Sequence, residues 1–312
     1  MTWGVKAIGA DTSPFTGRGI VVAVLDTGID ATHPAFNGVN LVQKDFTGEG
    51  DGDQIGHGTH CAATIFGRNI NGKRIGVAPG VEKALIGKVL SKDGGSSDQI
   101  CDAIQWAIDN GAHVISMSLG MDFPNSAKDL IKKRVPEDVA VSMALEGYRK
   151  NVLLFEKLAA FVKASGAFSL QPALIVAAAG NESHRETAQF WEVAVSPPAV
   201  ADGIISVGAL GKGPAGLNVA SFSNTGPNIS APGVDILTAW LRGDMKSLSG
   251  TSMATPHIAG ATALWAEKLK RAGSLNAFNL TAKVIASATT SGFETGFDSL
   301  DVGAGIVRCP QD

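Results

Sequence analysis

The sequence predicts an α/β protein built on a doubly wound, mostly parallel sheet with helices on both faces. Three observations point there. Short apolar, valine- and isoleucine-rich runs recur along the chain, such as Val21-Val22-Ala23-Val24-Leu25, and they read as strands buried on both faces. These runs alternate with helical patterns, which is the signature of parallel strands joined by crossover helices. Thirty-eight glycines in 312 residues, with no long Gly/Ser or Pro-rich tract, suit close helix-to-sheet packing and many turns.

In chain order, strands are expected at 20–25, 83–89, 112–118, 173–178 and 203–209. Helices are expected to begin near His57, Asp98, Thr251 and Leu280. The segment from Phe222 to Trp240, with its Pro232-Gly233 turn, reads as shorter strands at one edge. At 45% apolar and 18% charged residues the chain can bury a large core, and one domain over 1–312 is expected. A helical insertion is expected within it at about 121–170. From Glu137 to Ser165 the residues Val141, Leu145, Tyr148, Val152, Phe155, Leu158 and Val162 recur at three- and four-residue steps, and Pro136 marks a helix start. Lys132-Lys133-Arg134 before it reads as a solvated basic patch.

Composition also excludes function classes. A formal charge of −3 gives no sign of nucleic-acid binding, and no apolar run approaches the length that spans a membrane. Three cysteines at scattered positions make no disulfide framework. Gly67 to Lys73 has the outline of a phosphate-binding loop, but Arg74 stands where a magnesium-binding hydroxyl belongs, so chance explains the match. The sequons at Asn181, Asn228 and Asn279 carry no weight at such short length.

Three segments carry chemistry. In Gly250-Thr251-Ser252-Met253-Ala254-Thr255-Pro256-His257, a serine stands at the mouth of a small-residue helix whose free N–H groups face its surroundings, and the preceding glycine is expected to allow a tight turn. Asp26 ends the first strand and is followed by Thr27-Gly28, at the end of a strand where open α/β sheets bind ligands. His57, in Gly56-His57-Gly58-Thr59-His60-Cys61, opens a helix, and an imidazole there can take a hydroxyl proton near neutral pH. Reading His57, His60 and Cys61 as zinc ligands matches no usual spacing, so no metal site is assigned. Cys61 follows His57 by four residues on one helix and is expected beneath the imidazole as a buried thiol.

The order Asp26, His57, Ser252 is that of the subtilisin triad, and the three segments resemble the active-site signatures of the subtilisin-like serine peptidases, closest to the proteinase K-like and subtilisin branch. The resemblance runs from about Trp3 to Val307, through Gly76-Val77-Ala78-Pro79, Ser221-Phe222-Ser223-Asn224-Thr225-Gly226 and Ala231-Pro232-Gly233. It implies a serine endopeptidase acting on polypeptides through an acyl-enzyme, with Asn181 of Ala179-Gly180-Asn181 as an oxyanion donor beside the Ser252 N–H. It places Ser118, Leu119 and Gly120 on one wall of the primary pocket and Ala178, Ala179 and Gly180 on the other. Gly94, Gly95 and Ser96 form the edge that pairs with an extended substrate. These uncharged walls imply a broad preference for apolar or aromatic residues before the cleaved bond.

No cofactor is expected to be required. In many family members an aspartate after the His-Pro pair helps hold calcium, but here Ala35 follows His33-Pro34, and Arg68, Lys73 and Arg74 oppose a cation, so the usual tight site looks degraded. A weaker calcium site of carbonyl ligands would leave little mark in sequence. The insertion follows Gly120 directly, which allows either a long helix packed on the sheet or a lid or docking element for a regulatory partner. The same scaffold also admits a peptide transpeptidase or cyclase, and a catalytically silent peptide-binding module. Because the sequence starts almost at the catalytic region, an intracellular location is expected if the chain is complete, and none is assigned if it is a trimmed mature domain.

Overall fold

The computed structural model describes residues 1–169, 171–188 and 190–312, with the backbone alone at 167–169. Its centre is a sheet of parallel strands β1 (Val21–Asp26), β2 (Asn40–Asp45), β3 (Lys83–Lys88), β4 (Val114–Met117), β5 (Leu174–Ala178) and β6 (Ile204–Lys212), in the order β2-β3-β1-β4-β5-β6. β7 (Leu217–Val219) adds antiparallel at the far edge, and β8 (Ile229–Pro232) pairs parallel with β6. β9 (Ile236–Ala239) and β10 (Met245–Leu248) make a separate antiparallel pair.

Alternation along β1 explains the two layers. Val22 and Val24 enter one core with helices α2 (His57–Phe66) and α6 (Thr251–Arg271), while Ala23 and Leu25 enter the opposite core with α3 (Ser97–Asp109) and α5 (Glu137–Ser169). All four residues are buried, as a strand covered on both faces requires. The five expected strands lie within a few residues of β1, β3, β4, β5 and β6, and the helices near His57, Asp98, Thr251 and Leu280 are α2, α3, α6 and α7 (Ala277–Ala286). A short α1 (Trp3–Ala7) precedes the sheet.

The insertion is two helices rather than one. α4 (Phe123–Lys132) runs into the turn at Arg134, where φ is +66°, and α5 returns over 33 residues. Leu170, the last residue of the expected insertion, lies outside the described residues. The apolar stripe read from sequence holds only at its far end: Phe155 and Val162 are buried, but Val141 and Leu145 are exposed. Towards its start α5 packs on α4, none of whose residues is buried, and the small Ala140 and Ala144 turn inward there instead. Tyr148 anchors the pair, its ring edge-on to Phe123 at 5.0 Å and its hydroxyl donating to Val195 O at 3.2 Å.

Candidate active site

β1, β4 and β5 are neighbours, so their carboxyl ends bring Asp26, Ser118 to Gly120 and Ala179 to Asn181 to one edge of the sheet. The first turns of α2 and α6 add His57 and Ser252. A cleft of about 420 Å³ runs between them, lined among others by His57, Leu90, Ser118, Leu119, Asn181 and Ser252.

Asp26 is buried behind the cleft. Its Oδ1 accepts from Thr27 N at 2.7 Å and from His57 Nδ1 at 2.7 Å, which fixes the ring with its proton on Nδ1 and Nε2 free. Asp26 Oδ2 is buried without a hydrogen-bond partner among the described residues. Burial works against charge on His57, but the Asp26 carboxylate beside it, with a contribution from the Cys61 sulfur, overcomes that and raises the imidazole well above its ordinary pKa. Close approach of the two segments depends on Gly58, where a Cβ would stand 2.2 Å from Gly28 O. Gly56, the residue before α2, has φ +97°, a conformation that favours glycine.

Ser252 occupies the first turn of α6. Its hydroxyl donates to Ser118 O at 3.2 Å, while its own carbonyl accepts from Ser118 Oγ at 2.9 Å and Cys61 Sγ at 3.4 Å. Cys61 Sγ lies 3.9 Å from His57 Nδ1, and burial raises the thiol pKa. Gly250 differs from expectation: its backbone is extended, with φ 162°, and a Cβ there would meet nothing closer than 3.7 Å. The serine is presented by the helix itself, without a turn that only glycine can make. His60, grouped with His57 and Cys61 as a rejected metal trio, points elsewhere and donates from Nε2 to Ile236 O at 2.9 Å.

Asn181 is oriented by its neighbour. Its Oδ1 accepts from Thr251 N at 2.8 Å and Thr251 Oγ1 at 3.0 Å, so the amide Nδ2 is left as the donor. Sequence reasoning missed Glu182, which also lines the cleft. Its Oε2 accepts from Asn181 N at 3.0 Å and from Asn224 Nδ2 at 2.7 Å, which turns the carboxylate into the wall. Asn224 lies in the quoted Ser-Phe-Ser-Asn-Thr-Gly stretch, yet its contacts are too remote in sequence to be read from it.

Of the expected substrate-binding residues, Gly94, Ser118, Leu119, Gly120, Ala178 and Gly180 line the cleft, whereas Gly95, Ser96 and Ala179 do not. Ala179 O is held inside the wall by Ser196 N at 3.1 Å and Asn224 Nδ2 at 3.2 Å. Ser96 caps α3, its Oγ accepting from Gln99 N at 3.3 Å and its N–H donating to Gln99 Oε1 at 3.0 Å. Gly94 closes a tight turn, with Gly94 N donating to Ser91 O at 3.2 Å and Gly94 O accepting from Ser91 N at 2.9 Å. Along the edge expected to pair with a substrate strand, the N–H groups of Gly94 and Ser96 are thus engaged within the protein. Lys92 also lines the cleft, so its surroundings are not wholly uncharged.

The subtilase family model matches residues 17–305. The chain belongs to the subtilase family. It is 35% identical to subtilisin BL of Lederbergia lenta over 275 residues, covering 85% of this chain and 84% of that one. It is 36% identical to an intracellular serine protease of Paenibacillus polymyxa over 80% of this chain and 67% of the relative. Proteinase R of Parengyodontium album is 33% identical over 94% of this chain and 67% of its own. This subtilase is a subtilisin-like serine protease, and none of its described helices is long and apolar enough to cross a membrane.

Proposed function

We propose that this subtilase hydrolyses peptide bonds as an endopeptidase, with Ser252 as nucleophile, His57 as base, Asp26 as orienter and Asn181 as oxyanion donor. The observation that carries this is the 2.7 Å bond from His57 Nδ1 to Asp26 beside Ser252, on a cleft whose asparagine is locked with its donor free. Ser252 Oγ turns from Ser118 O to His57 Nε2 as substrate enters, since catalytic bonds tighten only in the bound state. His57 takes the hydroxyl proton as Oγ attacks the carbonyl carbon, then gives it to the leaving amine. Asn181 Nδ2 and the Ser252 N–H, at the positive end of α6, stabilise the oxyanion. Water then attacks the acyl-enzyme by the same steps in reverse.

Leu90 and Leu119, with the carboxylate of Glu182 held in the wall, support an apolar or aromatic residue before the cleaved bond. A peptide library varied at that position tests this, and cleavage concentrated after acidic or basic residues would contradict it. Product mass separates hydrolysis from the joining reaction of a transpeptidase.

The tight calcium site implied by the family does not fit the residues present. Ala35 is buried and brings no carboxylate, and the Arg68 guanidinium donates to Val81 O at 2.9 Å and to Pro79 O. Arg74 likewise donates to Val77 O at 2.8 Å and Gly76 O at 3.1 Å. Both guanidinium groups of the 68–74 loop, where the family would hold its ion, are thus fixed on the carbonyls that follow it, and their charge opposes a cation. Activity and thermal midpoint are expected to survive dialysis against EDTA; a fall restored by calcium would contradict this. Three free cysteines suit a reducing compartment, and one relative is named an intracellular protease, which supports a location inside the cell. Fractionation of the source cells checks it.

A further inference from the structure

We propose that Asp53 is a positioning residue that holds the His57 helix in register with Asp26, an inference that rests on reading His57 as the base. Its carboxylate accepts five hydrogen bonds from three segments. Oδ1 accepts from Thr27 Oγ1 at 3.0 Å, Ile55 N at 2.9 Å and Gly56 N at 2.7 Å. Oδ2 accepts from Thr59 N at 2.9 Å and Thr59 Oγ1 at 2.7 Å.

Each bond bears on the pair. Thr27 adjoins Asp26, and its hydroxyl in turn accepts from Gly58 N at 2.8 Å. Gly56 and Thr59 flank the start of α2, whose first residue is His57, and whose N-cap, a glycine, has no side chain to satisfy the helix's free N–H groups. Asp53 supplies that acceptor from outside the helix and ties it to the strand that carries Asp26. Thr59 Oγ1 also accepts from Asp30 N at 2.9 Å, extending the tie beyond Gly28. A single carboxylate therefore spans the strand end, the connecting loop and the helix start. Asp53 reaches neither substrate nor the reacting atoms, and it acts through His57.

Loss of the tie lets the ring drift from Asp26, and a displacement near 1 Å lowers turnover by about 100-fold. Asp53→Ala removes all five bonds. Asp53→Asn removes the charge and keeps an acceptor for the three Oδ1 partners, but turns an amide donor towards Thr59 N, so it restores only the part of the tie that runs to Thr27 and the connecting loop. The titratable groups facing His57 are Asp26 from β1 and Cys61 from its own helix, while His60 on that helix turns away to Ile236 O.

The test compares three chains by steady-state kinetics on one peptide ester and by NMR titration of the His57 ring in a Ser252→Ala background. In Asp53→Ala, kcat is expected to fall about 10- to 100-fold with KM within about twofold, and the ring pKa to drop towards its ordinary value. Asp53→Asn is expected to recover part of kcat and of the pKa through the three Oδ1 bonds that it keeps. An unchanged kcat, or a lower kcat with the His57 titration unmoved in a folded chain, overturns the proposal. Equal pKa shifts in the Asn and Ala variants also overturn it, because the effect would then be charge alone. Absence of turnover and of Ser252 acylation in the unaltered chain contradicts the underlying assignment of the site instead.

Discussion

Lowering the pH from 7 to 5 should destabilise this protein severely through three buried histidines. Burial is the main cause that brings His60, His113 and His257 each down to about 4. In each ring the nitrogen that must accept the proton is ill placed for it. His113 Nδ1 accepts from Val21 N at 3.0 Å, the His60 Nδ1 is buried without a partner among the described residues, and His257 Nε2 lies against α1, 2.1 Å from where a Cβ on Gly4 would stand. The folded-state pKa values lie below the unfolded value near 6.5, so this stability is present above about pH 6.5 and is lost as pH falls towards 4. With those values each ring forfeits about 2 kcal/mol between pH 7 and 5, or roughly 6 kcal/mol together, against a typical domain stability of about 5–15 kcal/mol. His57 works in the opposite sense, because its raised folded pKa adds stability as pH falls towards 6.5, and offsets part of the loss.

The assay is urea unfolding followed by circular dichroism at pH 7 and pH 5 in the Ser252→Ala chain, which removes self-digestion. His113→Asn keeps an acceptor for Val21 N but does not titrate, and should recover about 2 kcal/mol of the acid loss. A loss below about 2 kcal/mol in the parent, or no recovery in His113→Asn, would refute the reasoning.

Three further outcomes follow from the site. Asn181→Ala should lower kcat by about 100- to 1,000-fold, the penalty measured for such a donor in subtilisin itself, with KM little changed. Asn181→Asp keeps the acceptor for Thr251 N and Oγ1, so its melting temperature should match the parent while its kcat falls at least as far, and a parent-like kcat in either variant would count against the oxyanion assignment. The pH profile of kcat/KM should have its acid limb above about 6.5, since the raised His57 must be neutral to act and activity is lost as pH falls through its pKa; a limb below that value contradicts the pairing with Asp26. One equivalent of a mercurial should inhibit through Cys61, 3.9 Å from His57 Nδ1, and Cys61→Ala should abolish that sensitivity; full activity in the labelled parent would defeat it.

Legibility from sequence followed locality and burial. β1, β3, β4, β5 and β6 announce themselves as apolar runs because they are covered on both faces, whereas β2, at the sheet edge and only half-buried through Asn40-Leu41-Val42-Gln43-Lys44-Asp45, carries no such signal. α4 goes unread although Phe123, Ala127, Leu130 and Ile131 recur at helical steps and Pro124 suits a helix start, because the segment is only ten residues long and reads as the approach to the helix at Pro136. The residues of the proposed triad and Asn181 sit in short segments whose chemistry is visible one at a time. Asn224 could not be found that way, since it works through hydrogen bonds to segments remote in sequence; the Asp53 bonds to Ile55, Gly56 and Thr59 are local, but the one to Thr27 that reaches the end of β1 is not. Ser96 and Ala179 show the converse: neighbours of cleft-lining residues in sequence, one caps α3 and the other has its carbonyl held in the wall.

Covalent labelling of Ser252 tests the central claim most directly. Native chain and Ser252→Ala are incubated with a fluorophosphonate probe, and the labelled peptide is located by mass spectrometry. Stoichiometric label confined to Ser252, abolished by the substitution and strongly slowed in His57→Ala, is the predicted result. A folded native chain that takes no label, or takes it equally without Ser252, would contradict the assignment.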